Sequence, residues 1–234
     1  MSVALVEQPD ADLYDTALRS ADEPGERWRW FARYEGGRRH SLAGALGQWV
    51  GSPDAADRAL LARAEGTVLD AGCGPGRLVA ELAAQGRDAL GIDTSRVAVA
   101  RTRALGAAAL RRSVFAPAPA EGEWDTVLLA DGNIGIGGDP VALLTRCREL
   151  LAPSGRVLVE LGPAGTGLRA ARVRLECGTR RGSWFPWAHV GVDAVAGPAA
   201  AAGLEVAATW ERDGRSFADL VPCADRRVVL GLAS

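Results

Sequence analysis

Three glycines at alternate positions are the residues of this sequence best suited to holding a ligand. Gly72, Gly74 and Gly76 follow the apolar run 67–70, which ends in the acid Asp70. Apolar residues at helical spacing come next, so the stretch predicts a strand, a glycine loop and a helix. Glycine lets the backbone approach a ligand closely because it has no Cβ. A nucleotide-like ligand is therefore expected at the N-terminus of this helix.

The acids around the loop indicate the charge of that ligand. A dinucleotide loop has the spacing G-x-G-x-x-G, but Arg77 stands where its third glycine would be. A carboxylate such as Asp70 repels a pyrophosphate and attracts an ammonium group. Asp93 ends the next predicted strand and is placed to accept hydrogen bonds from both hydroxyls of a ribose. The pattern predicts an ammonium-bearing nucleoside rather than a dinucleotide.

Alternating strands and helices must position these residues. From residue 66 onward, five strand patterns alternate with helix patterns, which predicts an α/β fold with a doubly wound, mostly parallel sheet. The predicted strands are 67–70, 89–92, 108–112, 126–130 and 156–161, and the predicted helices are 77–85, a helix capped by Thr94 or Ser95 that runs to 105, and 140–151. Beyond them we expect a hairpin from 168–177 and 182–189, a helix over 193–202 and closing strands at 204–210 and 226–232.

The first 64 residues are predicted to form a helical N-terminal extension, or lid, before the ligand-binding domain at 65–234, in which 168–190 is a possible hairpin insertion. A short amphipathic helix is expected around Tyr14, and another helix from Pro53 to about Arg63, with Ser52 as its N-cap. Residues 27–40 mix arginines with aromatic residues. This pattern fits a nucleic-acid surface or a lid or docking helix. We favour the helix, because the patch is short and the rest of the chain is acidic.

Composition limits the possible partners. The chain has 234 residues, 48% of them hydrophobic, and a formal net charge of −2. That charge gives no general attraction to nucleic acid or anionic lipid. The four cysteines are scattered, so neither a zinc site nor a disulfide framework is indicated, and no metal is expected. Since no apolar run approaches a membrane span and the N-terminus lacks a basic segment, we expect a cytoplasmic protein without membrane contact.

Four segments together resemble the class I S-adenosylmethionine-dependent methyltransferases. Val68-Leu-Asp-Ala-Gly-Cys-Gly-Pro-Gly76 is similar to the first motif of that family, and Gly91-Ile-Asp93 to its second-strand acid. Trp124-Asp-Thr-Val-Leu-Leu129 is similar to the lead-in to the fourth strand, and 150–159 to the loop into the fifth. The resemblance covers about 66–161. It implies a Rossmann-like, seven-stranded sheet whose last strand is antiparallel, and S-adenosylmethionine as the cofactor.

The resemblance also implies roles for individual residues. Asp70, Gly72 and Gly74 would hold the amino acid end of the cofactor, Asp93 its ribose, and 113–115 its adenine. The family commonly has an acid at the position of Ser113, so adenine recognition departs from the pattern here. Tyr14 would belong to a helix folded over the cofactor. The full predicted cofactor-binding set is Tyr14, Asp70, Ala71, Gly72, Cys73, Gly74, Asp93, Thr94, Ser113, Val114, Phe115, Asp131 and Gly132.

Catalytic candidates depend on whether the methyl acceptor must lose a proton. His189 and Asp131 are the predicted catalytic residues, and His40 is a weaker candidate. The loop after Asp131 lacks the [D/N]-P-P-[Y/F] signature of methyltransferases that act on nucleic-acid amino groups. We therefore predict methyl transfer to a small molecule, in a pocket lined by some of the aromatic residues near both ends of the chain. The alternatives are a non-catalytic cofactor-binding or regulatory protein and an NAD(P)-dependent oxidoreductase, which the glycine spacing and the lack of a Tyr-x-x-x-Lys pair disfavour.

Overall fold

Seven strands form the larger of two β-sheets in the computed structural model, which describes residues 11–224. Their order is β11-β12-β7-β6-β3-β4-β5. Strands β3 to β7 of this sheet are parallel to one another, whereas β12 is antiparallel to both β7 and β11. This confirms the predicted doubly wound sheet with an antiparallel strand near its end. The strands are β3 (Val68–Ala71), β4 (Ala89–Asp93), β5 (Ala108–Arg111), β6 (Trp124–Leu129), β7 (Leu151–Leu161), β11 (Leu204–Arg212) and β12 (Arg215–Pro222).

Helices cover both faces of this sheet, which explains the continuous apolar runs of its central strands. Successive residues of β3 alternate between the two layers: Leu69 packs toward Leu143 of α7, and Val68 packs toward Leu82 of α5. The helices are α1 (Ala11–Ser20), α2 (Pro24–Arg27), α3 (Ala43–Val50), α4 (Ala55–Leu61), α5 (Arg77–Ala84), α6 (Arg96–Ala104), α7 (Pro140–Leu150) and α8 (Ala196–Ala201). No helix within residues 11–224 is long and apolar enough to cross a membrane.

Two helix starts test the predicted caps. Ser95 caps α6 by accepting from the Ala98 amide at 2.9 Å, as one of the two predicted alternatives had it. Ser52 does not cap α4. Asp54 does, because it accepts from the Asp57 amide at 2.7 Å while the Asp57 carboxylate accepts from the Asp54 amide at 3.1 Å. This reciprocal pair moves the start of the helix past Pro53.

The smaller sheet, called here the second sheet, joins the N-terminal segment to the predicted hairpin. Its order is β10-β8-β1-β2, with β9 also paired to β8, and all pairs are antiparallel. The hairpin of β8 and β10 confirms the sequence prediction. The strands are β1 (Trp30–Tyr34), β2 (Arg39–Ser41), β8 (Leu168–Cys177), β9 (Arg180–Arg181) and β10 (Phe185–Val190).

Residues 27–40 do not form the expected helix, so that prediction is wrong. The segment supplies the last residue of α2, then β1 and the start of β2. Trp30 and Ala32 of β1 point into the core, whereas Arg33 between Ala32 and Tyr34 pairs with Glu176 across the sheet. The alternation of apolar and arginine residues therefore had the period of a strand.

The strand that lies beside β7 in the large sheet was not among those predicted. The predicted strand 226–232 lies outside the described residues, and β12 occupies the position beside β7. Phe217, Ala218 and Leu220 of β12 are buried. Asp219 interrupts that apolar run, and it is tolerated because Arg156 donates to it at 3.0 Å. In the sequence, nothing marks Asp219 as an acid that is buried by a distant partner.

Candidate active site

The glycine loop joins β3 to α5 at the carboxyl edge of the parallel sheet. Gly72, Gly74 and Gly76 all have left-handed backbone, with φ of 78°, 54° and 91°. The amides of Gly72 and Cys73 donate to the Ile92 carbonyl of β4 at 2.9 and 3.0 Å. The loop is thereby fastened to the neighbouring strand, and its backbone forms one wall of a cavity.

Asp93, at the end of β4, borders the same cavity and orients the loop. One carboxylate oxygen accepts from the Gly74 amide at 3.0 Å, and the other accepts from the Ser95 amide at 2.8 Å. Burial raises the pKa of Asp93, and these backbone hydrogen bonds oppose the rise. Each carboxylate oxygen has a second lone pair, so Asp93 can still accept a pair of hydroxyl groups from a ligand.

Asp70 is buried beneath the loop at 2% exposure. Its Oδ2 has no hydrogen-bond partner among residues 11–224. Burial raises the pKa of Asp70 to about 7, and the Arg77 charge opposes that rise. An unpartnered buried carboxylate oxygen is costly, and a cation arriving nearby would lower that cost. Asp70 does not itself border the cavity, so its direct contact with a ligand stays a prediction.

Helix α1 closes the cavity opposite the loop. Tyr14 lines the cavity and meets Trp49 of α3 edge to face, with ring centroids 6.2 Å apart. A Cβ on Gly74 would point into this space, 3.8 Å from the Tyr14 hydroxyl. The helix is held in place by the buried Asp15, which accepts from the Ser95 hydroxyl of α6. The predicted covering helix is therefore present and anchored.

A network of buried charges holds the loop that follows β6. Asp131 accepts from Arg77 at 2.5 and 2.9 Å, and Arg77 also donates to Asp57 at 2.8 and 2.9 Å. Burial alone would lower the pKa of Arg77, but its bonds to Asp57 and Asp131 raise it. Gln48 of α3 donates to Asp131 at 3.2 Å. Burial raises the pKa of Asp131, while the pairing with Arg77 opposes that rise. A carboxylate held this way is better suited to positioning a ligand than to accepting its proton.

The cavity has a volume of about 350 Å³ and two chemically different halves. The glycine-loop half carries most of the polar groups, and the residues that line it include Tyr14, Gly72, Cys73, Gly74, Arg77, Asp93, Thr94, Arg112, Val114, Asp131 and Asn133. The second-sheet half is apolar and aromatic, and it is lined by Ala32, Tyr34, Leu42, Ala45, Leu46, Trp49, Val173, Leu175, Phe185, Pro186 and Trp187. A cavity of this kind accommodates a nucleoside at one end and a flat apolar molecule at the other.

His189 lies behind the cavity wall rather than in it. Its Nε2 is 2.9 Å from the hydroxyl of Tyr34, which does line the cavity. Burial lowers the pKa of His189, and the charges of His40, Arg169 and Arg38 lower it further. His40 is exposed and touches the edge of the Tyr34 ring, with centroids 5.3 Å apart. The hydrogen bond to Tyr34 therefore connects His189 to the cavity.

The structure brings only part of the predicted site to the cavity. The predicted residues that line it are Tyr14, Gly72, Cys73, Gly74, Asp93, Thr94, Val114 and Asp131. Those away from its wall are Asp70, Ala71, Ser113, Phe115, Gly132 and His189. Phe115 packs against the core beneath β5 and α7, and Ala71 is wholly buried in that core. These residues hold the backbone that carries their neighbours.

Several lining residues escaped the sequence interpretation. Asn133 donates to the carbonyls of Ala71 and Gly72 at 3.0 and 2.8 Å, joining the loop after β6 to the glycine loop. In the sequence, Arg77 indicates only that the third glycine of a dinucleotide loop is absent. Its position beside the cavity depends on an ion pair with Asp57 of α4. No local pattern marks either residue, because both act through segments distant in sequence.

The parallel sheet, with its antiparallel β12 and a glycine loop at its carboxyl edge, defines a Rossmann-like fold that binds nucleoside cofactors. The chain belongs to the methyltransferase-domain family, whose sequence model matches residues 52–186. This confirms the resemblance to class I S-adenosylmethionine-dependent methyltransferases and identifies the protein as a methyltransferase.

Solved structures show the same fold at low sequence identity. A methyltransferase from Bacteroides fragilis in complex with S-adenosylhomocysteine has a TM-score of 0.76 and 18% identity, over 94% of this chain and 98% of that one. The 1,6-didemethyltoxoflavin N1-methyltransferase of Burkholderia thailandensis has a TM-score of 0.57 and 16% identity, over 95% and 94% of the two chains. The glycopeptide N-methyltransferase MtfA, complexed with S-adenosylmethionine, has a TM-score of 0.56 and 17% identity, over 74% and 95%. No curated protein matches the chain at a significant level.

Proposed function

We propose that the protein transfers a methyl group from S-adenosylmethionine to a small-molecule acceptor held in the second-sheet half of the cavity. The carrying observation is that one cavity of about 350 Å³ is bounded by the glycine loop at one end and by apolar aromatic walls at the other. Such walls suit a compact apolar body and offer no track for a charged polymer backbone.

The residues of the glycine-loop half fit the cofactor. Asp93 has lone pairs free for two ribose hydroxyls, and the Gly74 backbone leaves open the space that a side chain would fill. The orphaned Oδ2 of Asp70 lies near the loop, and an ammonium group bound there would favour the ionised form of this carboxyl, whereas a phosphate would oppose it. When bound, S-adenosylmethionine supplies an electrophilic methyl group, so the chain itself mainly positions the acceptor and excludes water.

Helix α1 and helix α3 exclude that water. Tyr14 of α1 and Trp49 of α3 meet above the glycine loop. We further propose that the N-terminal segment to residue 64 acts as the lid of a cofactor-binding domain at 65–234, with the hairpin of β8 and β10 as an insertion that forms the acceptor wall. The bond from Gln48 to Asp131 connects this lid to the cofactor side.

The proposal is tested by asking whether a radioactive methyl group passes to small molecules or to macromolecules. The protein is incubated with methyl-tritiated S-adenosylmethionine and either the dialysable or the non-dialysable fraction of a cell extract. We expect label to pass to dialysable compounds. Label appearing only in protein or nucleic acid contradicts a small-molecule acceptor, and absence of transfer to either fraction favours a non-catalytic binder.

A cavity-filling variant locates the acceptor. Ala45 lines the second-sheet half from α3. We expect Ala45→Trp to abolish transfer to the dialysable fraction while S-adenosylhomocysteine still binds within about threefold of the wild-type affinity, which is under about 0.7 kcal/mol. Ala100→Trp, on the outer face of α6, is the matched control, because Ala100 lies outside this cavity. Unchanged transfer by Ala45→Trp would place the acceptor elsewhere.

A further inference from the structure

Tyr34 and His189 form a hydrogen-bonded pair at the cavity wall. A site that only positions a methyl acceptor does not need such a pair. Tyr34, at the end of β1, lines the second-sheet half of the cavity. Its hydroxyl lies 2.9 Å from Nε2 of His189 on β10, and their ring centroids are 5.7 Å apart. The two strands are joined through β8, which pairs with both. The phenol thus stands between the cavity and the imidazole.

Three basic groups of the described chain act on His189, and each favours its neutral form. Arg169 lies directly across on β8, Arg38 immediately precedes β2, and His40 belongs to β2. Burial and these charges lower the pKa of His189, and burial raises the pKa of Tyr34. At neutral pH the pair is therefore an uncharged phenol and an uncharged imidazole. With its own proton on Nδ1, the imidazole accepts at Nε2 from the Tyr34 hydroxyl.

The second-sheet half offers one titratable group to a bound molecule. Tyr14 also borders the cavity, but its hydroxyl lies beside Gly74 of the glycine loop; of the residues named for the second-sheet half, Tyr34 alone carries a titratable group. Asp131 borders the other half and is engaged by Arg77. The Tyr34 hydroxyl is therefore the group of this half that is available to take a proton from a bound acceptor.

We propose that Tyr34 is a catalytic residue that removes a proton from the methyl acceptor, with His189 as the positioning residue that receives Tyr34's own proton. This rests on the proposed function, and it implies an acceptor with an ionisable hydroxyl on a flat apolar frame, such as a phenol. The acceptor O–H bond breaks as a new O–H bond forms on Tyr34. The original Tyr34 proton passes to Nε2 of His189.

Charge and atoms balance across this transfer. The acceptor oxygen gains the methyl group. The electron pair of its former O–H bond becomes the new O–C bond. The pair of electrons of the breaking S–C bond stays on sulfur, which becomes a neutral thioether. The positive charge initially on sulfur ends on the imidazolium of His189. His189 is only half buried and loses the proton to solvent.

The kinetic test uses S-adenosylmethionine with 4-nitrophenol, 1-naphthol and 7-hydroxycoumarin as acceptor probes, and S-adenosylhomocysteine release as the measurement. We expect turnover of at least one phenol, and none of 7-methoxycoumarin. Tyr34→Phe should lower kcat by about 100-fold, the lower end of the usual range for proton-transfer catalysis. His189→Gln keeps a hydrogen-bond acceptor for Tyr34 but cannot take up the proton, so kcat should fall at least about tenfold by the same reasoning.

The pH profile separates proton transfer from a structural role. Wild-type kcat/KM should fall as the pH drops through the lowered pKa of His189, below the usual imidazole value of about 6.5. His189→Gln should lose this acid limb. In contrast, His40→Gln should keep the acid limb and shift it toward higher pH, because the charge of His40 is one of the causes that lower the pKa of His189. A His189→Gln variant with wild-type kcat and an unchanged acid limb overturns the proposal.

A measurement without substrate tests the pair itself. The chain has two histidines, so ¹³C-labelled histidine gives two ring signals, and the His189→Gln variant assigns them. We expect the His189 signal to titrate below its usual pKa and Tyr34→Phe to raise that pKa, because the phenol no longer donates to the neutral ring. An unchanged pKa overturns the pairing. Methylation of small molecules that are not phenols overturns this inference and leaves the proposed function standing.

Discussion

Asp93 carries the most direct test of the cofactor site. Its carboxylate accepts from the Gly74 and Ser95 amides and retains lone pairs for two hydroxyls. A hydrogen bond to a charged group contributes about 1.5–3 kcal/mol, so loss of two amounts to about 3–6 kcal/mol before the loop relaxes. Taking the lower part of that range, we expect Asp93→Ala to weaken the binding of S-adenosylmethionine by about 100- to 1,000-fold.

Isothermal titration calorimetry measures this change, with S-adenosylhomocysteine as a second ligand and NADH as a ligand that should not bind. Asp125→Ala is the matched control. Asp125 also accepts from a backbone amide, that of Thr67 at 2.8 Å, but it lies at the opposite end of the strands. The control should lose stability without losing affinity. Asp93→Ala binding within threefold of wild type, or tight binding of NADH, would refute the assignment of the glycine-loop half.

Two further predictions concern stability, measured by urea unfolding without ligand. Gly76→Ala should cost more than Gly86→Ala, because both have left-handed backbone but only a Cβ at Gly76 collides with Thr102 of α6. The Gly86 variant should lose about 1 kcal/mol and the Gly76 variant at least about 2–3 kcal/mol, so equal losses would contradict the collision. Asp70→Asn should gain stability relative to wild type as pH rises. The pKa of Asp70 is about 7 in the folded chain, above its value in the unfolded chain. The contribution of Asp70 to folding stability is therefore complete below pH ~4 and is lost as the pH rises through 7. A tenfold difference in proton affinity between the folded and unfolded chains corresponds to about 1.4 kcal/mol, and a stability difference that does not grow between pH 4 and 7 would refute the buried, unpaired state.

The glycine-loop half was predictable because its information is local. Strand β3, the three glycines and α5 are contiguous, and Asp93 comes after the very next strand. Glycines at alternate positions indicate a left-handed backbone, and this signal is visible in a single sequence. Each of the three glycines does have a positive φ. Parallel strands place their carboxyl ends at one edge, so Asp93 and Asp131 came to the site without any knowledge of side-chain contacts.

The sequence predictions missed strands in which a buried charged residue pairs with a partner distant in sequence. Asp219 is buried in β12 because Arg156 of β7 reaches it, and the buried acid hid the strand. Glu176 of β8 is buried because it pairs with Arg33 and Arg174. Arg33 is one of the arginines that made residues 27–40 fit a docking helix. A buried ion pair looks like two surface residues in sequence, since burial and pairing are properties of the fold.

The wall that we propose for the acceptor could not be predicted from the sequence, for a related reason. Its strands come from residues 30–34 and 168–190, and only the register of β1 against β8, with Ala32 opposite Leu175, brings them together. Neither strand carries part of the large sheet, so the cofactor site does not depend on which side chains they present. Substitutions at inward positions of β8, such as Val173, can therefore alter the choice of acceptor while Asp93 and the glycine loop keep the cofactor. Under the proposed function, binding of the cofactor and selection of the acceptor are thus encoded in separate parts of one cavity.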